Sequence, residues 1–226
     1  VTDRSAEEGG PRRGLAAARP APPALGEPGQ ELSVGEPTTP RQAATVILLR
    51  GGTATLEVLL VKRTEKARFM GGIWVFPGGA VDERDGERAH RAAAVRELAE
   101  EAGVSLSDPE ELVEFSRWIT PAQVAVRFDT RFYLAQLPDG QQPRVDGQEC
   151  VQLGWFTPSE ALTACERDEL ALVFPTIKHL EQLRDFASAE QLIAHARGRE
   201  VLPVQPRVVL EGEVARVLLP GEPGYE

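Results

Sequence analysis

Arg96-Glu97-Leu98-Ala99-Glu100-Glu101-Ala102-Gly103-Val104 is the stretch that decides how this chain reads. The Ala-rich run from about Ala89 to Ala102 has the texture of a helix, and Gly103 is a good helix-ending residue. Each helical residue advances about 100°, so with Glu97 at zero, Glu101 lies at about +40° and Glu100 at about −60°. The three carboxylates therefore share one arc, while Val95, Leu98, Ala99 and Ala102 occupy the opposite side and can pack on a sheet. Two readings compete. Most charge runs on helices are solvated faces. Against that, like charges at i,i+4 repel one another, and no lysine lies on this face to offset them. A bound divalent cation turns the repulsion into ligation. Mg²⁺ or Mn²⁺ suits an oxygen-only set completed by water and substrate phosphate.

One loop upstream stands Phe76-Pro77-Gly78-Gly79. Consecutive glycines let backbone approach a ligand closely and leave its amides and carbonyls unobstructed. A glycine loop feeding a helix with three aligned glutamates is a stronger signal than either part alone.

Working outward, Ala44–Leu49 and Leu56–Arg63 read as two arms of a hairpin interrupted at Gly51-Gly52, and 64–79 as loop. Strands are expected at Leu112–Ile119, Phe128–Gln136 and Val151–Phe156. A helix is expected to start at Pro158, with further helices over Thr176–Phe186 and Ala189–Arg197. Arg207–Leu210 and Val214–Leu219 read as a last hairpin turning at Glu211-Gly212. Strands alternating with a few helices indicate a mixed α/β domain whose sheet is covered on both faces. Residues 1–40, with Pro20, Pro22, Pro23, Pro28, Pro37 and Pro40, read as a disordered arm. The domain is expected over 41–199. Residues 200–226 are expected to form an added hairpin, a contact for a homodimer, or a wrap around the domain.

Composition narrows the function. Of 226 residues, 42% are hydrophobic and 27% charged, as in a soluble globular protein. A net charge of −10 argues against a general nucleic-acid binder, which needs basic surface against phosphate. Cys150 and Cys165 have no metal-ligand spacing and read as thiols of a reducing cytoplasm. No apolar run reaches the roughly 20 residues of a membrane span, and the N-terminal arginines precede no apolar core of a secretory signal. His90, His179 and His195 show no ligand spacing.

Together these residues resemble the Nudix hydrolase family. Arg96 to Val104 match the second half of its box at every defined position, and Phe76-Pro77-Gly78-Gly79 is similar to its approach. The resemblance runs over roughly 42–190, through Trp155-Phe156-x-Pro158, and implies a Nudix-like α/β/α sandwich with a mixed β-sheet. The first half of the box departs from the pattern. Gly79 and Arg96 stand 17 positions apart where the family has 14, which reads as a loop insertion. Glu87, Asp82 and Asp85 are all candidates for the family's first glutamate. The resemblance implies that Glu97, Glu100 and Glu101 bind Mg²⁺ or Mn²⁺, with the Gly78 carbonyl as a further ligand. Arg96 is expected to orient a carboxylate. Glu149, ahead of the strand at Val151, is the best-placed additional glutamate, as a metal ligand or base, so Glu100, Glu149 and Arg96 form the expected catalytic set.

The substrate implied is a nucleotide diphosphate derivative, cut by metal-activated water. Phe69 to Gly79, Trp118-Ile119-Thr120-Pro121 and Arg127 to Tyr133 look like the branch containing peroxisomal coenzyme A diphosphatases, which suggests CoA or acyl-CoA. The His-containing approach of another CoA-cleaving branch is missing between Leu60 and Gly79, and ADP-ribose or another nucleoside diphosphate derivative stays open. Arg68, Arg127 and Arg131, with the Gly79 backbone, are candidates for substrate phosphate; an ordinary surface or cross-strand role is the alternative for each arginine. Trp74, Trp118 and Tyr133 read as packing residues before stacking platforms. The rival from another class is a non-catalytic ligand-sensing module, which would be expected to lose at least one of the three glutamates that this chain keeps.

Overall fold

The computed structural model describes residues 36–226 apart from Ala54, Arg68, Gly212 and Glu213. The arm expected over 1–40 therefore lies outside the described residues except for Glu36–Pro40. Period-two alternation on three central strands builds the sheet: β1 (Arg41–Arg50), β2 (Glu57–Arg63) and β6 (Phe128–Gln136). Ile47, Leu49, Val58, Leu60, Phe132 and Leu134 face one side, while Val46, Leu48, Leu59, Val61, Tyr133 and Ala135 face the other. The remaining strands are β3 (Trp74–Val75), β4 (Gly78–Ala80), β5 (Val113–Ile119), β7 (Cys150–Phe156), β8 (Pro203–Val204), β9 (Arg207–Glu211) and β10 (Val214–Leu218).

The main sheet runs β3-β2-β1-β6-β5-β8, with β4 on β1 and β7 on β2. The β1–β6 and β5–β8 pairs are parallel and the rest antiparallel, so the sheet is mixed. Helix α1 (Ala89–Ala102) covers one face through Ala93, Ala94, Leu98 and Ala102, all fully buried. Small residues at 93 and 94 let the helix axis come close to the strands. Helices α2 (Pro158–Glu166), α3 (Phe174–Leu183) and α4 (Ala189–Ala196) cover the other face with Ala161, Leu180, Leu183, Leu192 and Ala196. The result is the expected α/β/α sandwich. No helix among the described residues is long and apolar enough to cross a membrane.

The stretch 64–79, expected as loop, carries two short strands, β3 and β4. Their pairing partners lie on β2 and β1, far in sequence, and period alone does not reveal such pairs. Helix α3 starts at Phe174 rather than Thr176 because Pro175 is suited to a first helical turn. Glu211, expected in a turn, belongs to β9 and pairs with Val214; Gly212, the other residue of that expected turn, lies outside the described residues. Within 200–226, β8 extends the main sheet by pairing with β5, and the hairpin β9–β10 follows it.

His179 on α3 is fully buried among Phe76, Phe115, Trp118 and Phe132. The Pro175 carbonyl, 2.7 Å from Nδ1, can only accept, so Nδ1 carries the proton and Nε2 accepts from the Ser116 hydroxyl at 2.6 Å. Burial lowers its pKa to about 4, against a small opposing effect of the Pro175 carbonyl. The unfolded chain takes up this proton below about pH 6.5 while the native protein refuses it until about pH 4. Stability is thus expected to fall with acidification across that window, by up to about 3 kcal/mol from this group. Urea unfolding at pH 7 and pH 5 should show a smaller acid loss for His179→Gln than for wild type; equal losses would place the acid sensitivity elsewhere.

Candidate active site

Strands β2 and β4 share one edge of β1, the edge opposite β6. β2 pairs with Leu49 and Arg50, and β4 with Ala43 to Thr45. Glu101 of α1 bridges the two where they part: the Gly78 N–H donates to Oε2 at 2.9 Å and Arg63 of β2 to Oε1 at 3.2 Å. Val46 N–H bonds the Pro77 carbonyl and Val81 N–H the Gln42 carbonyl, a spacing that makes Thr45 and Gly78 a non-hydrogen-bonded pair. Gly78's N–H and C=O therefore both turn away from β1.

Glu101 is 2% exposed, and burial pushes its pKa up to about 7; the Gly78 N–H and Arg63 pull it down, and Glu97 adds to the rise. The buried Cys150 thiol is close enough to feel this carboxylate, and burial with the adjacent negative charge holds the thiol well above its usual range. Glu97 is also raised, first by burial; Arg96 opposes this, while Glu100 and Glu149 add to it. A Cβ on Gly79 would stand 2.5 Å from the Glu97 Cδ and Oε1. The absent side chain at 79 is thus the space that the Glu97 carboxylate fills. Glu100, half exposed, accepts from Arg96 at 3.2 Å and lies 3.7 Å from Arg84.

Arg96 is the hub of this face. It donates to both Asp85 oxygens at 3.0 Å, to the Ala80 carbonyl at 3.1 Å, to Glu97 at 2.5 Å and to Glu100. Asp85 and Glu97 hold the guanidinium firmly protonated, and Arg96 in turn keeps the Asp85 carboxyl below its ordinary range. Of the three acidic candidates ahead of the helix, Asp85 is the one that meets Arg96. Asp82 instead caps the 3-10 turn Glu83–Asp85, which carries Asp85 into place. Spacing could not select it, because the inserted loop folds back on the helix.

A cavity of about 440 Å³ on the α2–α4 side of the sheet is lined at this end by Arg63, Gly78, Gly79, Glu97, Glu101 and Glu149, whereas Glu100 stays on the outer side with Arg84 and Arg96. The Asp146 carboxylate accepts from the Glu149 and Cys150 N–H groups, and the Glu149 carbonyl accepts from Thr64 N–H, which leaves the Glu149 side chain exposed at the rim. Arg127 and Arg131 are not brought here. Arg127 is buried and donates to the carbonyls of Thr38 and Thr120. Arg131 pairs with Glu114 on the opposite face, because alternation along β6 gives Phe128, Thr130 and Phe132 to the cavity and Asp129, Arg131 and Tyr133 to the other side. Arg68 lies outside the described residues. Among the described residues, the cations that line the cavity are Arg63 and Arg41, which in the sequence look like ordinary strand-end arginines.

The donor set fits a hard divalent cation: three carboxylates on one helix face, two of them largely buried, beside a backbone stripped of side chains. Among the described residues, however, no three acidic, imidazole or thiol groups already converge on one point. Their oxygens are turned to Arg96, Arg63 and the Gly78 N–H.

Comparison with known proteins bears on this arrangement. Residues 39–177 match the model of the NUDIX domain. The chain is 28% identical to "Putative nudix hydrolase 7" of Caenorhabditis elegans, over 86% of this chain and 78% of that one. It is 23% identical to acyl-coenzyme A diphosphatase NUDT19 of Xenopus laevis, over 63% of each chain, and so spans less than two thirds of that relative. A NUDIX hydrolase crystal structure from Alicyclobacillus acidocaldarius superimposes with a TM-score of 0.63 at 29% identity, covering 70% of this chain and 96% of that one. With the box helix, the mixed sheet and more than half the chain matched, this protein belongs to the NUDIX domain family, as a hydrolase of diphosphate bonds.

Proposed function

We propose that the chain cleaves the diphosphate of CoA or an acyl-CoA, with Mg²⁺ or Mn²⁺ held by Glu97, Glu100, Glu101 and the Gly78 carbonyl. The observation that carries the metal site is Glu101, a nearly inaccessible carboxylate beside two further glutamates of the same helix face, and the similarity to an acyl-coenzyme A diphosphatase supports the substrate. A bound divalent cation there lowers the pKa of water and offsets the negative charge of the diphosphate. The chain supplies the rest. Arg96, anchored on Asp85, holds Glu97 and Glu100 in register. Arg63 meets phosphate oxygens at the cavity wall, and Gly79 lets the diphosphate approach the backbone. Glu149 or Glu100 takes the proton of the attacking water. The products are a 3′-phosphorylated adenosine phosphate and a phosphopantetheine fragment.

The test is incubation with Mg²⁺ or Mn²⁺ and a panel of CoA, acyl-CoA, ADP-ribose, NADH and diadenosine polyphosphates, with products identified by mass. CoA or an acyl-CoA should be cleaved, chelation should abolish cleavage, and Glu100→Gln should lower kcat by about 10²–10⁴-fold. Preferred cleavage of ADP-ribose would change the substrate. No turnover of any compound by folded protein, with Glu100→Gln indistinguishable from wild type, would make the chain a ligand-sensing module instead.

A further inference from the structure

The cavity has two ends of different chemistry. Away from the glutamates it is walled by Phe69, Trp118, Val126 and Phe128 and, from the C-terminal hairpin, by Val208 and Val217. Val208 and Val217 are direct cross-strand partners, so their side chains leave the same face of the hairpin. The other face is tied down: Arg207 stacks on Tyr225 and donates to its carbonyl at 2.6 Å, and the Tyr225 hydroxyl donates to the Gln205 carbonyl at 2.7 Å. Just before the hairpin, Val204 of β8 pairs with Trp118, which is itself a cavity wall. The hairpin thus follows directly on a strand of the main sheet, its Val208–Val217 face lines the cavity, and the C-terminal residues pack on its other face. At the rim, Val126 is 40% exposed, a large apolar side chain left open beside this end.

We infer that the β9–β10 hairpin is a specificity element, completing an apolar arm for the chain-bearing, non-nucleotide end of a diphosphate substrate. This rests on the hydrolase reading above, with the diphosphate lying at the glutamates. A nucleobase fits the arm poorly. Against Val208 and Val217 its hydrogen-bonding edge would face branched aliphatic side chains, since the polar side chains of the lining, Arg41 and Thr120 among them, come from outside the hairpin. The Phe128 ring already has partners, since Phe69 packs on it at 5.6 Å and Arg41 lies 5.9 Å over it. An alkyl chain asks for none of these partners, and each methylene it buries tightens binding by about fourfold.

The experiment compares kcat/KM for CoA, acetyl-CoA, octanoyl-CoA and ADP-ribose in wild type, Val217→Trp and Val208→Asp. Wild type should prefer octanoyl-CoA to acetyl-CoA by at least about tenfold. Val217→Trp fills the arm and should erase that preference, and Val208→Asp should erase it by hydrating the wall. If Val208→Asp loosens the hairpin, the apolar Val217→Trp decides. A wild type indifferent to chain length overturns the inference. So do variants that depress CoA, octanoyl-CoA and ADP-ribose by the same factor, since the arm would then hold the nucleotide. Calorimetry of octanoyl-CoA and CoA without metal separates the two readings. Tighter binding of octanoyl-CoA that Val217→Trp abolishes, without turnover of any compound, sinks the hydrolase reading and leaves the arm standing. Turnover without chain preference does the reverse.

Discussion

Glu101→Gln is expected to lose at least about a thousandfold in kcat while leaving the metal-free protein no less stable at pH 8. The two halves of this result have one cause. Glu101 sits at 2% exposure with its pKa raised from 4.5 to about 7. The unfolded chain releases this proton near pH 4.5 and the folded one only near pH 7, so folding loses stability as pH rises through that window. The loss is up to about 3 kcal/mol. Glutamine keeps the shape and an acceptor for the Gly78 N–H but has no charge to bury. The same charge is what a divalent cation needs, and losing several kcal/mol of metal-borne charge stabilisation corresponds to about 10³ in rate. Steady-state kinetics in Mn²⁺, set beside urea unfolding in chelator at pH 5 and pH 8, checks both halves. A variant that is inactive and also strongly destabilised at pH 8 would make Glu101 a structural residue rather than a metal ligand.

Gly79→Ala is expected to cost about 10²-fold in kcat with little loss of fold. The new Cβ would lie 2.5 Å from the Glu97 carboxylate, so Glu97 must move by roughly an ångström, and misplacements of that size cost about 10²-fold in a positioned site. Gly79 carries no positive φ, so the effect comes from occupied space and not from backbone strain. A double-variant cycle isolates it: in a Glu97→Ala background no carboxylate remains to be displaced, and Gly79→Ala should then add less than about twofold. An undiminished penalty in that background would mean that the alanine disturbs β4 itself. Either way the readout is kinetic, at saturating metal, with circular dichroism as the check on folding.

The legible parts of the molecule are those set by local rules. The helix over Ala89–Ala102 and its stop at Gly103 were readable because helical period and a left-handed cap depend on neighbours a few residues apart; Gly103 takes φ 62° and donates to Ala99. Strands β1, β6 and β7 were readable from alternation and apolar runs. The short β3, β4 and β8 were not, since two or three residues make no period and each exists only because a distant strand edge is open. The arginines show the same limit. Arg127 and Arg131 sit in a strand-like context next to aromatics and invite a phosphate role, yet a one-residue step on β6 turns Arg131 to the far face. Arg63, with no signal beyond ending a strand, lands against Glu101.

The alignment of Glu97, Glu100 and Glu101 on one helix face was a matter of sequence alone. Three residues within one helical turn and a half share a face wherever the helix is placed, because the backbone period is local. What the tertiary structure decided is what that face meets. Burial made Glu101 a high-pKa carboxylate between Gly78 and Arg63, and the missing side chain at Gly79 made room for Glu97. An inserted loop returned Asp85 to Arg96, and a hairpin more than a hundred residues downstream walled the cavity they open on. Each of these depends on contacts between residues far apart in the chain, and those are set by how the layers pack rather than by the spacing of any motif.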